Sequence, residues 1–178
     1  MRNLIHDAII FATLKHAGHL RKGTGDPYIT HPMEVMQILS ENGCCENVIV
    51  AGILHDTLED TKTTQEEILE HFGEDVLKIV FAESEDKSKT WKERKQTIIN
   101  YLDKASVDEK RVCLADKLSN LRSMPVGNDS EVEKFWNRFN ASKKDIKWYY
   151  RQVFEKLGEL SYTKMYAEYE MLLGVVFG

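Results

Sequence analysis

The sequence predicts an all-α chain of about ten helices, and three observations carry that prediction. No segment sustains the period-two alternation of a half-buried strand. Only three prolines interrupt 178 residues. Helix-start signals recur instead: Thr63-Thr-Gln-Glu66, Thr90-Trp-Lys-Glu93 and Ser106-Val-Asp-Glu109 each fit the capping box, in which a hydroxyl and a carboxyl satisfy each other's backbone donors.

The helices are expected near 3–18, 32–42, 46–58, 64–72, 74–84, 91–104, 107–124, 130–140, 143–160 and 163–176. Pro32 suits the first turn of a helix carrying Met33, Val35, Met36, Ile38 and Leu39, where its missing donor has no cost. Gly43 and Gly73 follow apolar-periodic runs and are good terminators. Three loops separate the elements: the glycine-rich Arg21–Tyr28, Glu85–Thr90, and Pro125–Asp129. None is long enough for a domain linker, so residues 1–178 are expected to form a single domain.

Composition narrows the class. A net charge of -5 argues against a general nucleic-acid binder. Cys44 and Cys45 are adjacent and Cys113 lies in an apolar run, which suggests neither a disulfide framework nor a structural zinc site. A reducing cytoplasm is the expected compartment. His6 and Asp7 stand where a signal peptide needs an unbroken apolar run. The apolar end, Met171–Gly178, is far shorter than the ~20 residues that cross a bilayer. It reads as the docking end of a last helix, and no membrane partner is expected.

The chemistry is concentrated in Ala51-Gly-Ile-Leu-His-Asp-Thr-Leu-Glu-Asp60. On a continuous helix, His55, Asp56, Glu59 and Asp60 share an arc of roughly 140°. Three acids crowded there repel one another unless solvent or a cation intervenes. A solvated helix end is the alternative, but its acids would sit where the helix dipole prefers cations. His31 and Asp116 are isolated polar groups elsewhere. Singly, His31 reads as an N-cap or a satisfied core imidazole, and Asp116 as a partner for Lys117 or an arginine. Together with His55 and Asp56 they make a mixed nitrogen–oxygen site that suits manganese, iron or a similar first-row ion better than calcium.

The order His31, His55-Asp56, Asp116 resembles the HD superfamily of metal-dependent phosphohydrolases. Arg21-Lys22, Pro27-Tyr-Ile-Thr-His-Pro32, Leu54-His-Asp-Thr-Leu-Glu-Asp-Thr61 and Leu114-Ala-Asp-Lys-Leu-Ser-Asn-Leu-Arg122 are similar to blocks of the RelA/SpoT-type hydrolase domain and its stand-alone small alarmone hydrolases. The likeness runs over 4–122, leaving 128–178 as C-terminal helices that complete the fold. The resemblance implies a helical HD fold holding Mn²⁺ through His31, His55, Asp56 and Asp116. It also implies that Glu59 and Asp60 serve the attacking water, that Arg21 and Lys22 contact a guanosine nucleotide, and that Asn120 meets its ribose or phosphate. The implied reaction removes the 3′-pyrophosphate of guanosine tetraphosphate or pentaphosphate to leave GDP or GTP.

The residues themselves agree with that chemistry. A divalent ion acidifies coordinated water and neutralises phosphoryl charge, and either acid one turn beyond the HD pair can act as base or orienter. Arg21-Lys22 also read as solvated surface, Gly52 as room for substrate or as close helix packing, and the aromatics of the last third as core or as a stacking surface. Phe81–Lys89 departs from the Val-Thr-Asp-Asp type of stand-alone hydrolases, and Arg21–Tyr28 differs in length; both regions are expected to line the nucleotide pocket. No synthetase-like region is visible. An HD phosphohydrolase for another nucleotide (a monophosphate or a cyclic species) and a non-catalytic nucleotide-binding module are the competing readings. Oligomeric state stays open.

Overall fold

Why α3 (Glu46–Leu54) lies at the centre follows from its composition: Val48 to Leu54 is apolar on every face, and all seven residues are buried. Around it a computed structural model, which describes residues 3–127 and 129–178, arranges eleven α-helices and one 3₁₀ turn. Asn128, in the third expected loop, and residues 1 and 2 lie outside this description.

α1 (Leu4–Lys15) and α2 (Thr30–Glu41) pack against α3, and α8 (Val107–Arg122) packs against both α2 and α3. α4 (Thr57–Asp60) is a single turn, followed by α5 (Gln65–Phe72) and α6 (Glu74–Glu83). α7 (Trp91–Leu102) lies against α10 (Lys143–Lys156), α9 (Ser130–Trp136) leads into it, and α11 (Lys164–Phe177) returns along α8. There is no strand among the described residues. A lone bridge between Leu20 and Pro27 pinches the loop ahead of α2.

The capping boxes at Thr90–Glu93 and Ser106–Glu109 form as expected. The one near α5 forms one residue later, between Thr64 and Glu67 rather than Thr63 and Glu66. Thr63 is buried and its hydroxyl is 2.7 Å from that of Thr61, which leaves Thr64 as the cap. The glycine terminators also hold: Gly73, at φ 89°, ends α5 and starts α6. Gly52 is explained by packing, because a Cβ there would run into Leu39 and Val35 of α2.

Two expected helices are divided. The 46–58 helix ends at Leu54, turns through His55-Asp56 and resumes at Thr57. His55 Nδ1 lies 2.8 Å from the Gly52 carbonyl, and the Thr57 hydroxyl donates to Leu54 O at 2.7 Å. Both side chains take carbonyls that a continuing helix would use, so the backbone ladder stops there. The shared helical arc of the four site residues is replaced by a corner. Likewise the 143–160 helix ends at Lys156 and finishes as a 3₁₀ turn at Gly158–Leu160, and the 130–140 helix ends at Trp136.

The chain end docks as its apolarity implies: Leu173, Val176 and Phe177 are buried, and Lys147 Nζ caps the carbonyls of Phe177 and Gly178 at 2.9 Å. Tyr150 and Tyr169 stack with centroids 6.2 Å apart inside the core. Among the described residues, no helix is long and apolar enough to cross a membrane.

Candidate metal centre

Three packed helices bring three distant residues to one point. The first turn of α2 supplies His31, the corner after α3 supplies His55, and the middle of α8 supplies Asp116; all three are buried. One ligand-capable atom from each lies within 4.8 Å of the others. His31 Nε2 is 3.1 Å and His55 Nε2 3.7 Å from Asp116 Oδ1. Asp56 joins from the same corner, its Oδ2 lying 3.0 Å from His55 Nε2 and 3.6 Å from His31 Nε2.

The donor set fits a divalent ion. A carbonyl oxygen only accepts, so the His55–Gly52 contact places a proton on Nδ1 and leaves Nε2 as the ligand-capable nitrogen. Nε2 faces two carboxylates, Asp56 Oδ2 at 3.0 Å and Asp116 Oδ1 at 3.7 Å. Burial alone disfavours charge on this ring, yet Asp56 and Asp116 pull its pKa well above the ordinary imidazole value. The centre calls for positive charge, and a buried His/His/Asp triad can coordinate a divalent metal.

Neighbours already answer part of that demand. Asp116 works against burial: the Lys117 ammonium and the two imidazoles hold its carboxyl well below the usual carboxylate range. Lys117 contacts Asp116 Oδ2 directly, so the pairing expected as an alternative to metal ligation coexists with the triad and leaves Oδ1 facing the imidazoles. His31 is shifted down, chiefly by burial, which keeps the ring neutral and able to ligate. The Tyr28 hydroxyl donates to Asp56 and, at 3.3 Å, to Asp60.

Glu59 and Asp60 follow on α4. Glu59 borders the small cavity of about 160 Å³ that contains the triad, whereas Asp60 does not. Burial first, then the Glu85, Asp56 and Asp60 carboxylates, raises the Glu59 pKa. Lys87 braces the pair from the Glu85–Thr90 loop, donating to Glu59 O at 2.7 Å and Asp60 Oδ1 at 2.8 Å.

A second cavity of about 370 Å³ adjoins this one and shares Tyr28, Glu59, Glu85, Lys95, Lys117 and Asn120 with it. Arg21 and Lys22 line the larger cavity. Arg21 donates to Asn120 Oδ1 at 3.0 Å, and Asn120 donates to Asp116 Oδ1 at 2.6 Å, so a chain of hydrogen bonds joins the basic wall to the triad. Phe135, Phe139, Tyr149 and Tyr150 form part of an aromatic wall.

The family model described as HD domain matches residues 8–147. The chain belongs to the HD-domain family. Within that family it is closely related to the ppGpp hydrolases of the MESH1/SpoT type. It is 36% identical over 162 residues to the human guanosine-3′,5′-bis(diphosphate) 3′-pyrophosphohydrolase MESH1, covering 86% of this chain and 90% of that one. The Xenopus tropicalis protein of that name is 45% identical over 124 residues, covering 68% and 69%. A solved structure described as a metazoan ortholog of SpoT that hydrolyzes ppGpp superposes with a TM-score of 0.77 at 30% identity, covering 99% of this chain and 95% of that one. The activity class is metal-dependent phosphohydrolysis, as is typical of HD-domain proteins.

The HD residues expected from sequence therefore share one neighbourhood, but several groups around them carried no sequence signal. Glu85 accepts from Arg94 at 2.7 Å and also contacts Lys95, and all three border the larger cavity. Two cations after a capping box look like a solvated helix face, and only the tertiary pairing with Glu85 distinguishes them. Tyr28 was visible inside a family block without any sign of its hydrogen bonds. The two segments expected to line a nucleotide pocket both border the larger cavity, through Arg21, Lys22, Gly23 and Thr24 on one side and Glu85 on the other.

Proposed function

We propose that this chain removes the 3′-pyrophosphate from guanosine tetraphosphate or pentaphosphate, leaving GDP or GTP. One observation carries the reading: a buried His/His/Asp triad opens beside a cavity of about 370 Å³ that has a basic wall and an aromatic wall. That is the size range and lining of a small-molecule site. The relationship to ppGpp hydrolases supplies the substrate class.

In this reading His31, His55, Asp56 and Asp116 hold Mn²⁺. A divalent ion there supplies Lewis-acid chemistry, acidifying water and offsetting charge on the phosphoryl oxygens. Glu59 takes the proton of the attacking water, its raised pKa bringing it nearer to working pH. Asp60, held by Tyr28 and Lys87, orients that water and Glu59. Arg21, Lys22 and Asn120 grip the nucleotide, the Arg21 fork being suited to bidentate contact with phosphate. Phosphoryl transfer needs positioning and charge stabilisation more than a covalent partner, and these groups supply both. Residues 1–178 act as one unit in this reading, because Phe135, Phe139, Tyr149 and Tyr150 line the cavity together with Arg21 and Lys22.

The test is product analysis with Mn²⁺-loaded protein and guanosine tetraphosphate. GDP and pyrophosphate in equal amounts, lost in Glu59→Ala, is the expected result. Intact substrate, or orthophosphate in place of pyrophosphate, would overturn the assignment and move the enzyme to another nucleotide.

A further inference from the structure

The two imidazoles of the triad are fixed by different means. His55 is oriented by a backbone carbonyl, which no side-chain substitution removes. His31 is oriented by a side chain. Its Nδ1 lies 2.9 Å from the hydroxyl of Ser119, a fully buried residue one turn after Asp116 on α8.

A hydroxyl can donate or accept, so Ser119 alone leaves the His31 tautomer open. Glu34, one turn after His31 on α2, closes the question. The Ser119 hydroxyl donates to Glu34 Oε2 at 2.8 Å, and a carboxylate oxygen only accepts. With its single proton committed to Glu34, Ser119 offers only lone pairs to His31. The imidazole must then donate from Nδ1, and its Nε2 lone pair faces Asp116 Oδ1 at 3.1 Å. The carboxylate is itself anchored: Arg122 donates to Glu34 Oε1 at 3.1 Å while holding Glu168 of α11 with two bonds of 2.8 Å.

We propose that Glu34 and Ser119 are positioning residues that hold His31 in its metal-ligating tautomer. The inference rests on the metal-centre reading above. Metal-ligating histidines generally donate their other ring N–H to such a partner, and losing it weakens metal affinity about 10- to 100-fold. Without Glu34, the Ser119 proton is free to turn toward His31 Nδ1, which places the ring proton on Nε2 where the ligand lone pair is needed. Removal of Glu34 therefore mimics removal of Ser119, because Glu34 reaches the His31 ring through the Ser119 hydroxyl.

The experiment is Mn²⁺ binding without substrate, followed by the paramagnetic signal of the free ion. Wild type is compared with Ser119→Ala, Glu34→Ala, the double variant and Glu34→Gln. Each alanine variant should weaken binding about 10- to 100-fold. The double variant should be no weaker than either single, because both act through one bond to His31. Glu34→Gln, whose amide oxygen still accepts from Ser119, should recover most of the affinity. Long-range proton–nitrogen NMR of the metal-free imidazoles should show Nδ1-protonated His31 in wild type and a shift toward Nε2 in Glu34→Ala. Thermal unfolding of the metal-free variants normalises for folding, and Glu34→Gln with the NMR signature carries the test if an alanine variant does not fold. Affinity within twofold of wild type in both alanine variants, additive losses, or Nε2-protonated His31 in wild type would overturn the proposal. Wild type that binds no Mn²⁺ would instead overturn the function proposed above, so the two failures are distinguishable.

Discussion

The triad and the pocket beside it are built on opposite principles. At the triad, His31, His55 and Asp116 are buried among packed helices and every one has a hydrogen-bonding or ionic neighbour within about 3 Å. At the pocket, Arg21 and Lys22 sit on a loop, Arg94 and Lys95 lie on α7 against Glu85, and Phe135, Phe139, Tyr149 and Tyr150 come from the chain after residue 128. Dry, fixed charge is costly to misplace, whereas long cationic side chains adjust. Substitutions at the triad should thus act all-or-none, and substitutions in the pocket should act by degree.

The sharpest way to break this contrast is Asp116→Ala. It should abolish metal binding and turnover. It should also destabilise the metal-free protein by about 3–5 kcal/mol, because it leaves Lys117 as a buried ammonium without its carboxylate. His55→Ala should abolish metal binding as well. Retained Mn²⁺ binding or turnover in Asp116→Ala would refute the ligand assignment.

Next in size is Glu59→Ala, measured as turnover against metal affinity. Turnover should fall by roughly 10²-fold with Mn²⁺ affinity unchanged, since Glu59 borders the triad cavity without belonging to the triad. A parallel loss of metal would make it a ligand instead. Arg21→Lys probes the pocket side. Losing the fork that reaches Asn120 and Ser123 should raise KM about tenfold and change kcat little. A collapse of kcat would mean that the basic wall belongs to the fixed centre.

The smallest effect concerns Glu83, a half-buried carboxyl that borders the triad cavity. Burial pushes its pKa up to about 7 from the usual 4.5, with Lys117 opposing the rise. The folded chain thus binds this proton more tightly than the unfolded chain, and its contribution to stability is present at low pH and lost as pH rises toward 7. Glu83→Gln should raise the Tm of chelator-treated protein by a few degrees at pH 8 and by much less at pH 5, where only the start of the loss has occurred. Equal gains at both pH values would mean that the carboxyl is not desolvated by the cluster.

The same contrast explains what the sequence revealed. His31, His55-Asp56 and Asp116 stand out as polar groups in apolar runs, and the capping signals at Thr90 and Ser106 lie in plain view. The corner at His55-Asp56 does not, because apolar periodicity continues through Leu58 and the break is made by side chains claiming Gly52 and Leu54 carbonyls. At α5 the sequence offers two equal capping boxes, since Thr63 and Thr64 each have a glutamate three residues on, and only burial of Thr63 decides between them. Glu85 with Arg94 and Lys95, and Glu34 with Ser119, are pairings between elements, which local sequence does not encode.

The most direct measurement follows Mn²⁺ occupancy and guanosine tetraphosphate turnover in the same samples, starting from chelated protein. The chelated protein should release no pyrophosphate. Turnover should then rise in step with the first equivalent of bound Mn²⁺, and Asp116→Ala should show neither binding nor turnover. Full turnover in the chelated protein, or binding of Mn²⁺ that leaves turnover at zero, would contradict metal-dependent hydrolysis of this substrate.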